Sequence, residues 1–124
     1  MKPKALVVDD VKTHHTALKT QLIIHGFEVD IANDGLEAWN LLKSNNYKIV
    51  FTDFEMPNMN GLELLTSIKK NLATKNTNVI MLSMVSNSDI IDKALRLGAI
   101  AYLVKPFSSQ KIRELLAVLG LSKS

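Results

Sequence analysis

The feature that most constrains this chain is a series of short apolar runs, each stopped by a polar residue. Asp9 and Asp10 follow Ala5, Leu6, Val7 and Val8; Asp53 follows Ile49, Val50, Phe51 and Thr52; Ser83 follows Val79, Ile80, Met81 and Leu82; Lys105 follows Tyr102, Leu103 and Val104. Apolar runs of this length, bounded by turn signals and separated by stretches of helical period, read as buried strands of a parallel sheet. Ligands on such sheets bind beyond the carboxyl ends of the strands. If the strands run parallel, three carboxylates, a hydroxyl and an ammonium converge on one edge from positions spread along the chain.

The segments between the runs support this. Residues 4–9 read as a strand and 11–25 as a helix with Val11, Leu18 and Leu22 near one face, ended by Gly26. Residues 28–31 alternate polar with apolar, the mark of an edge strand. A helix capped by Asn33 or Asp34 is expected to turn Leu36, Trp39 and Leu42 inward. Strand 49–53 is followed by a polar loop and a helix over 61–71, with Leu62, Leu65, Ile68 and Leu72 in period. Strand 79–83, helix 88–97 stopped by Gly98, strand 101–104 and helix 108–119 complete the series. Strict alternation implies right-handed crossovers and a doubly wound, five-stranded α/β sheet, a flavodoxin-like (βα)5 three-layer sandwich. The alternating second strand belongs at an edge, which fits the order 2-1-3-4-5.

With 124 residues, nearly half of them apolar, one domain spanning 1–124 is expected. The absence of cysteine excludes a disulfide framework and a thiolate zinc site and agrees with a reducing compartment. The first apolar run is too short for a signal peptide or a membrane span, so a cytoplasmic protein with no membrane insertion is expected. The net charge of +3 comes from lysines scattered without a block, which reads as solvated surface and argues against direct nucleic-acid binding.

Charge balance gives the polar edge its chemistry. Like charges at about 4 Å repel by about 4 kcal/mol at an effective dielectric near 20. Asp9, Asp10 and Asp53 therefore require a cation, and Mg2+, held by one or two carboxylates and waters, leaves room for a phosphate. Lys105 supplies a second positive charge. Taken singly, each residue has a plainer reading: helix capping for the Asp pair and Ser83, turn chemistry for Asp53, a solvated surface lysine for Lys105.

As a set, the motifs resemble the response-regulator receiver domains of bacterial two-component signalling, and within them the single-domain chemotaxis regulators. The resemblance rests on Val7 to Asp10, on Asp53 through Leu65 with Pro57 and Gly61 inside it, on Gly98 and Ala99, and on Lys105, Pro106 and Phe107. Because that family exemplifies the 2-1-3-4-5 order, the order carries little independent weight.

The resemblance implies that Asp53 is the phosphoacceptor, attacking a phosphohistidine on a sensor histidine kinase or phosphotransfer protein. It implies Mg2+, with Mn2+ as the alternative, bound by Asp10 and Asp53, by Asp9 through water and by the Glu55 backbone carbonyl. Lys105 would stabilise the transferring phosphoryl group, Ser83 would hydrogen-bond it, and Tyr102 would turn inward. A cis Lys105–Pro106 bond is also implied. The output face would be the fourth helix, fifth strand and fifth helix, with Ser86, Ile90, Lys93, Tyr102 and Val104 as candidates, meeting an output protein such as a flagellar motor component. A monomer is expected, with dimerisation on activation as the alternative, and slow autodephosphorylation rather than steady enzymatic turnover.

Three positions depart from the family pattern. Glu55 places a fourth acid beside the site, where it would repel a donor or pair with Lys105 or another cation. Met84 is long where the family is small and is expected to cover Asp53 in part, slowing small phosphodonors. Val85 offers no polar group to position a hydrolytic water. His14 and His15 lack a partner motif and suggest solvent or the kinase-docking surface. The competing readings are a receiver-like interaction module that no longer needs phosphate, and an aspartate-nucleophile phosphatase, for which the chain is short.

Overall fold

Alternating apolar runs and helical periods produce five β-α units. The structure, a computed structural model, describes residues 2–9, 12–56, 59–84 and 86–121, with side chains at all of these except 12–15. Strands β1 (Lys4–Val8), β2 (Glu28–Ala32), β3 (Ile49–Asp53), β4 (Asn78–Ser83) and β5 (Ala101–Val104) alternate with helices α1 (Lys12–Ile24), α2 (Gly35–Ser44), α3 (Gly61–Lys70), α4 (Ser88–Arg96) and α5 (Ser109–Val118). All strand pairs are parallel and the order is β2-β1-β3-β4-β5, as the patterning anticipates. No helix among the described residues is long and apolar enough to cross a membrane.

The two-residue period of the strands divides the core into two layers. Ala5, Val7, Ile49, Phe51, Ile80, Leu82 and Leu103 pack with Leu18 and Leu22 of α1 and Ile112 and Leu116 of α5. Leu6, Val8, Val50, Val79 and Met81 pack with Ala38 and Leu42 of α2, Leu64, Leu65 and Ile68 of α3 and Ala94 of α4. Each fully buried Leu, Ile or Phe contributes about 1.5–3 kcal/mol, so the core comfortably holds a sheet whose central strands are buried along their length. β2 exposes Glu28 and half-buries Val29 to Ile31, as an edge strand should.

Side-chain caps set the helix starts. Asp34 accepts from the Glu37 amide at 2.8 Å, and Asn60 and Glu63 form a reciprocal capping box at the start of α3. Two inward assignments are corrected. Leu36 is 50% exposed because the buried face of α2 runs through Gly35, Ala38 and Leu42, leaving Trp39 half-buried. Leu72 is 83% exposed because α3 ends at Lys70, and the Thr74 hydroxyl then donates to the Ile68 carbonyl at 2.7 Å.

Lys69 is not the solvated lysine that the scattered charge suggests. Its ammonium donates to the carbonyls of Thr77 (2.7 Å) and Lys75 (3.1 Å), and burial pulls its pKa down. Its stem lies over Gly98, whose φ of 114° favours glycine and where an added Cβ would press on the lysine methylenes.

Candidate functional site

The parallel sheet brings the ends of β1, β3 and β4 to one edge, and the sequence supplies a polar residue at each. Asp9 lies just past β1, fully buried, with its amide donating to Ala32 at 3.1 Å. Asp53 is the last residue of β3 and accepts from the Phe54 amide at 3.1 Å. Behind it, Gly61 donates to the Phe54 carbonyl at 2.7 Å, and a Cβ on Gly61 would strike the Asp53 carbonyl, the Met81 sulfur and Phe54. Glycine is therefore required for the chain to close behind the acid.

Lys105 follows β5, and its amide donates to the Ser83 carbonyl at 2.8 Å. With strands about 4.8 Å apart, β3 lies two strands away, a gap that only a long side chain crosses. The Lys105 ammonium sits 2.8 Å from Asp9 Oδ2 and 3.2 Å from Asp53 Oδ1. Lys105 is 8% exposed and Asp53 9%, so water screens these charges weakly. Burial pushes the Asp53 carboxyl above its ordinary range; the nearby Lys105 charge pulls the other way, and the Asp9 charge adds to the rise. The Lys105–Pro106 peptide is cis, as the resemblance implies.

Ser83, 2% exposed, ends β4 one residue beyond Leu82, the partner of Asp53 in the register. Strand alternation directs Asp53 toward the α1–α5 layer and Ser83 toward the layer of α2, α3 and α4, where Tyr102 is half-buried against the core. Ser83 and Tyr102 thus share a face. Ile90 is half-buried, Val104 is 39% exposed, and Ser86 and Lys93 are exposed.

Two sequence expectations concern residues beside this edge. Glu55 is exposed and forms no ion pair with a described residue; among the described residues, Asp9 and Asp53 engage Lys105, because strand ends deliver them to the sheet edge while Glu55 sits on the loop beyond. Met84 is 75% exposed, so any cover it gives Asp53 comes from a small part of its surface. Asp10 and Val85 lie outside the described residues, as do the side chains of His14 and His15.

The buried donors Asp9 and Asp53 are hard carboxylate oxygens already gathered around a positive charge, a donor set suited to Mg2+ or Mn2+. Among the described residues no three His, Cys, Asp or Glu side chains converge on one point, so these would supply only part of a coordination shell, the rest falling to water or phosphate.

A direct Asp9–Lys105 bond is the feature that sequence reasoning missed. It assigned Asp9 to a metal and Lys105 to a phosphoryl group, although charge balance already pointed to a pairing. At the opposite end of the sheet, a second cluster also went unread: the Tyr47 hydroxyl donates to Asp30 at 2.7 Å, and Lys4 lies 3.8 Å from Asp30. Burial and the Asp30 bond push the Tyr47 hydroxyl well above its ordinary value.

The sequence matches the response regulator receiver domain family over residues 5–117. It is 38% identical over 117 residues to the Helicobacter pylori chemotaxis protein CheY1, covering 93% of this chain and 94% of that protein. Among solved structures, it resembles the receiver domain of Francisella response regulator 1452, with 35% identity, coverage of 94% and 95%, and a TM-score of 0.85. It also resembles the chemotaxis response regulator CheY4 of Vibrio cholerae, with 27% identity, coverage of 96% and 99%, and a TM-score of 0.89.

Proposed function

The chain belongs to the response regulator receiver domain family, and from that premise we propose that it is a phosphorylation-dependent signalling switch. The reacting group is the Asp53 carboxylate, which attacks the phosphorus of a phosphohistidine; the P–N bond breaks, the imidazole keeps the electron pair, and an aspartyl phosphate forms. The observation that carries this reading is the Lys105 ammonium lying between Asp9 and Asp53, drawn from three separate strand ends. Once Asp53 carries the phosphoryl group, Lys105 has a phosphoryl oxygen to hold in place of the carboxylate.

Asp9, Asp10, Asp53 and the Glu55 carbonyl would hold Mg2+ or Mn2+, which when bound neutralises charge on the transferring phosphoryl oxygens. The Ser83 hydroxyl then turns to the phosphoryl group, and Tyr102, on the same face, follows it inward. This alters the surface of α4, β5 and α5, including Ile90 and Val104, that meets the output protein. The donor is a histidine kinase or phosphotransfer protein. The names of the H. pylori and V. cholerae relatives support a chemotaxis pathway, with a flagellar motor component as the output partner. We assign the protein to the cytoplasm by the same analogy, and to signalling rather than steady enzymatic turnover.

Intact mass measurement after incubation with acetyl phosphate and Mg2+ tests the reading. One phosphoryl group should be added to the wild type and none to Asp53→Asn or to the wild type in EDTA. A partner bound equally well with and without that addition would favour a phosphate-independent interaction module instead.

A further inference from the structure

The edge of the sheet opposite the carboxylates is their electrostatic inverse. Every helix of a parallel β-α fold runs back against its strands, so strand beginnings and helix ends share one end of the molecule. Cations are favoured at helix C-termini, and Lys43 and Lys70 occupy the last turns of α2 and α3. Lys2 and Lys4 lie at the start of β1, Lys48 immediately before β3, and Lys75 in the turn before β4. Lysines scattered along the sequence are therefore gathered at one end. Lys4 is engaged by Asn45 at 3.1 Å and Asp30 at 3.8 Å, whereas Lys48 and Lys75 are exposed and their ammonium groups make no hydrogen bond or ion pair among the described residues.

A trough lies at this end, with Lys2, Lys4 and Lys48 in its lining and Lys75 between the lining residues Thr74 and Asn76. One part, about 550 Å3, is bordered by Lys2, Lys4 and Glu28; the other, about 230 Å3, by Thr74, Asn76 and Asn78. Asn45, Asn46, Tyr47 and Lys48 line both, so the two cavities are halves of one depression. Asp30 offsets Lys4 and Glu28 lies on the rim, so the surplus positive charge comes from Lys2, Lys48 and the neighbouring Lys75.

The lining indicates the ligand. Asn45 serves Lys4 and the Leu41 carbonyl and Asn78 donates to the Lys48 carbonyl, whereas the exposed Asn46 and Asn76 amides each present a donor and an acceptor, the pattern a peptide backbone needs, and the flanking lysines suit carboxylates. A lipid surface would call for large apolar side chains to insert, and apart from the buried Tyr47 the linings offer only Pro3 and Ala73 beside Asn, Ser, Thr and charged residues. A single-stranded nucleic acid would call for a stacking platform, but Tyr47 is only 5% exposed. We propose that this trough docks an extended acidic peptide segment of a partner protein. Since it lies across the sheet from Asp53, docking leaves the phosphoacceptor edge open and tethers the switch in either phosphorylation state. The proposal does not depend on the chemistry assigned to Asp53.

Amide chemical-shift mapping of the full chain with an oligo-glutamate peptide, with no phosphodonor present, tests it. The amides of residues 45–48 and 76–78 should move while those of Asp53, Ser83 and Lys105 stay, and binding should weaken as salt rises. Lys48→Glu combined with Lys75→Glu should weaken binding at least tenfold while keeping the urea midpoint and phosphoryl uptake of the wild type. The double alanine variant should show a smaller loss in the same direction. The proposal is overturned by an unmoved trough, by equal binding to the charge-reversed variant, or by tighter binding of anionic phospholipid vesicles or an oligonucleotide at equal salt.

Discussion

Replacing Lys105 by methionine removes the ammonium and keeps most of the apolar stem, isolating the charge from the packing. At an effective dielectric near 20, unit charges at the observed 2.8 and 3.2 Å attract by about 6 and 5 kcal/mol before desolvation is subtracted. The side chains of Lys105, Asp9 and Asp53 are 6%, 1% and 12% exposed, so solvent cannot replace the lost partner. Removing one member of such a buried pair typically costs about 3–5 kcal/mol. A domain of 124 residues has about 6–19 kcal/mol in total, so the loss is a large fraction. With a urea slope of about 2 kcal/mol per molar, the unfolding midpoint should fall by about 2 M at neutral pH without metal. The wild-type and variant midpoints should converge below the ordinary carboxylate range, because protonated acids no longer need the cation. A drop under about 0.5 M at neutral pH, or one that persists unchanged in acid, would sink the electrostatic account.

The other predictions use the same site and its supports. Asp53 has a folded pKa raised above its ordinary 3.8, so its ionisation costs stability as pH climbs from that value through the raised one. Asp53→Asn should therefore be more stable than wild type at neutral pH, with the gap closing below pH 3.8, as followed by thermal melts across pH. Gly61→Ala forces a methyl into the Asp53 carbonyl and the Met81 sulfur, and should cost about 3 kcal/mol in urea unfolding, the upper end for overpacking. Met84→Ala should change phosphorylation by acetyl phosphate by less than about twofold, given its 75% exposure; a larger acceleration would restore the screening role expected from its length. Glu55→Asn, which removes an exposed acid beside the site, should shift the dephosphorylation rate a few-fold, read by decay of the phosphorylated mass.

The strand and helix order was legible because apolar runs and helical periods are local signals, and the end of each strand named Asp9, Asp53, Ser83 and Lys105 directly. Leu36 and Leu72 were misread because periodicity cannot say where a helix ends or which of two neighbouring apolar stripes faces the sheet. Met84 shows a related limit: length gives reach but not direction. The Lys105–Asp9 bond joins residues 96 apart, and no pattern in the chain encodes which of several acids a lysine chooses. The lysines at the other end show the same limit, since their clustering arises from the parallel topology rather than from their spacing.

That separation of 96 positions bears on when the protein can work at all. No local fragment contains a site: a chain lacking β5 has both acids but not the cation between them, and a chain lacking β1 keeps Asp53 and Lys105 but not Asp9, the nearer partner of that cation. Contacts so distant in sequence form late, after the loop-closure entropy of the intervening chain has been overcome. During synthesis, a ribosome-bound intermediate would thus be unable to take a phosphoryl group until residue 105 had emerged and β5 had joined the sheet. On the proposed function, competence for phosphorylation would follow closure of the sheet rather than precede it.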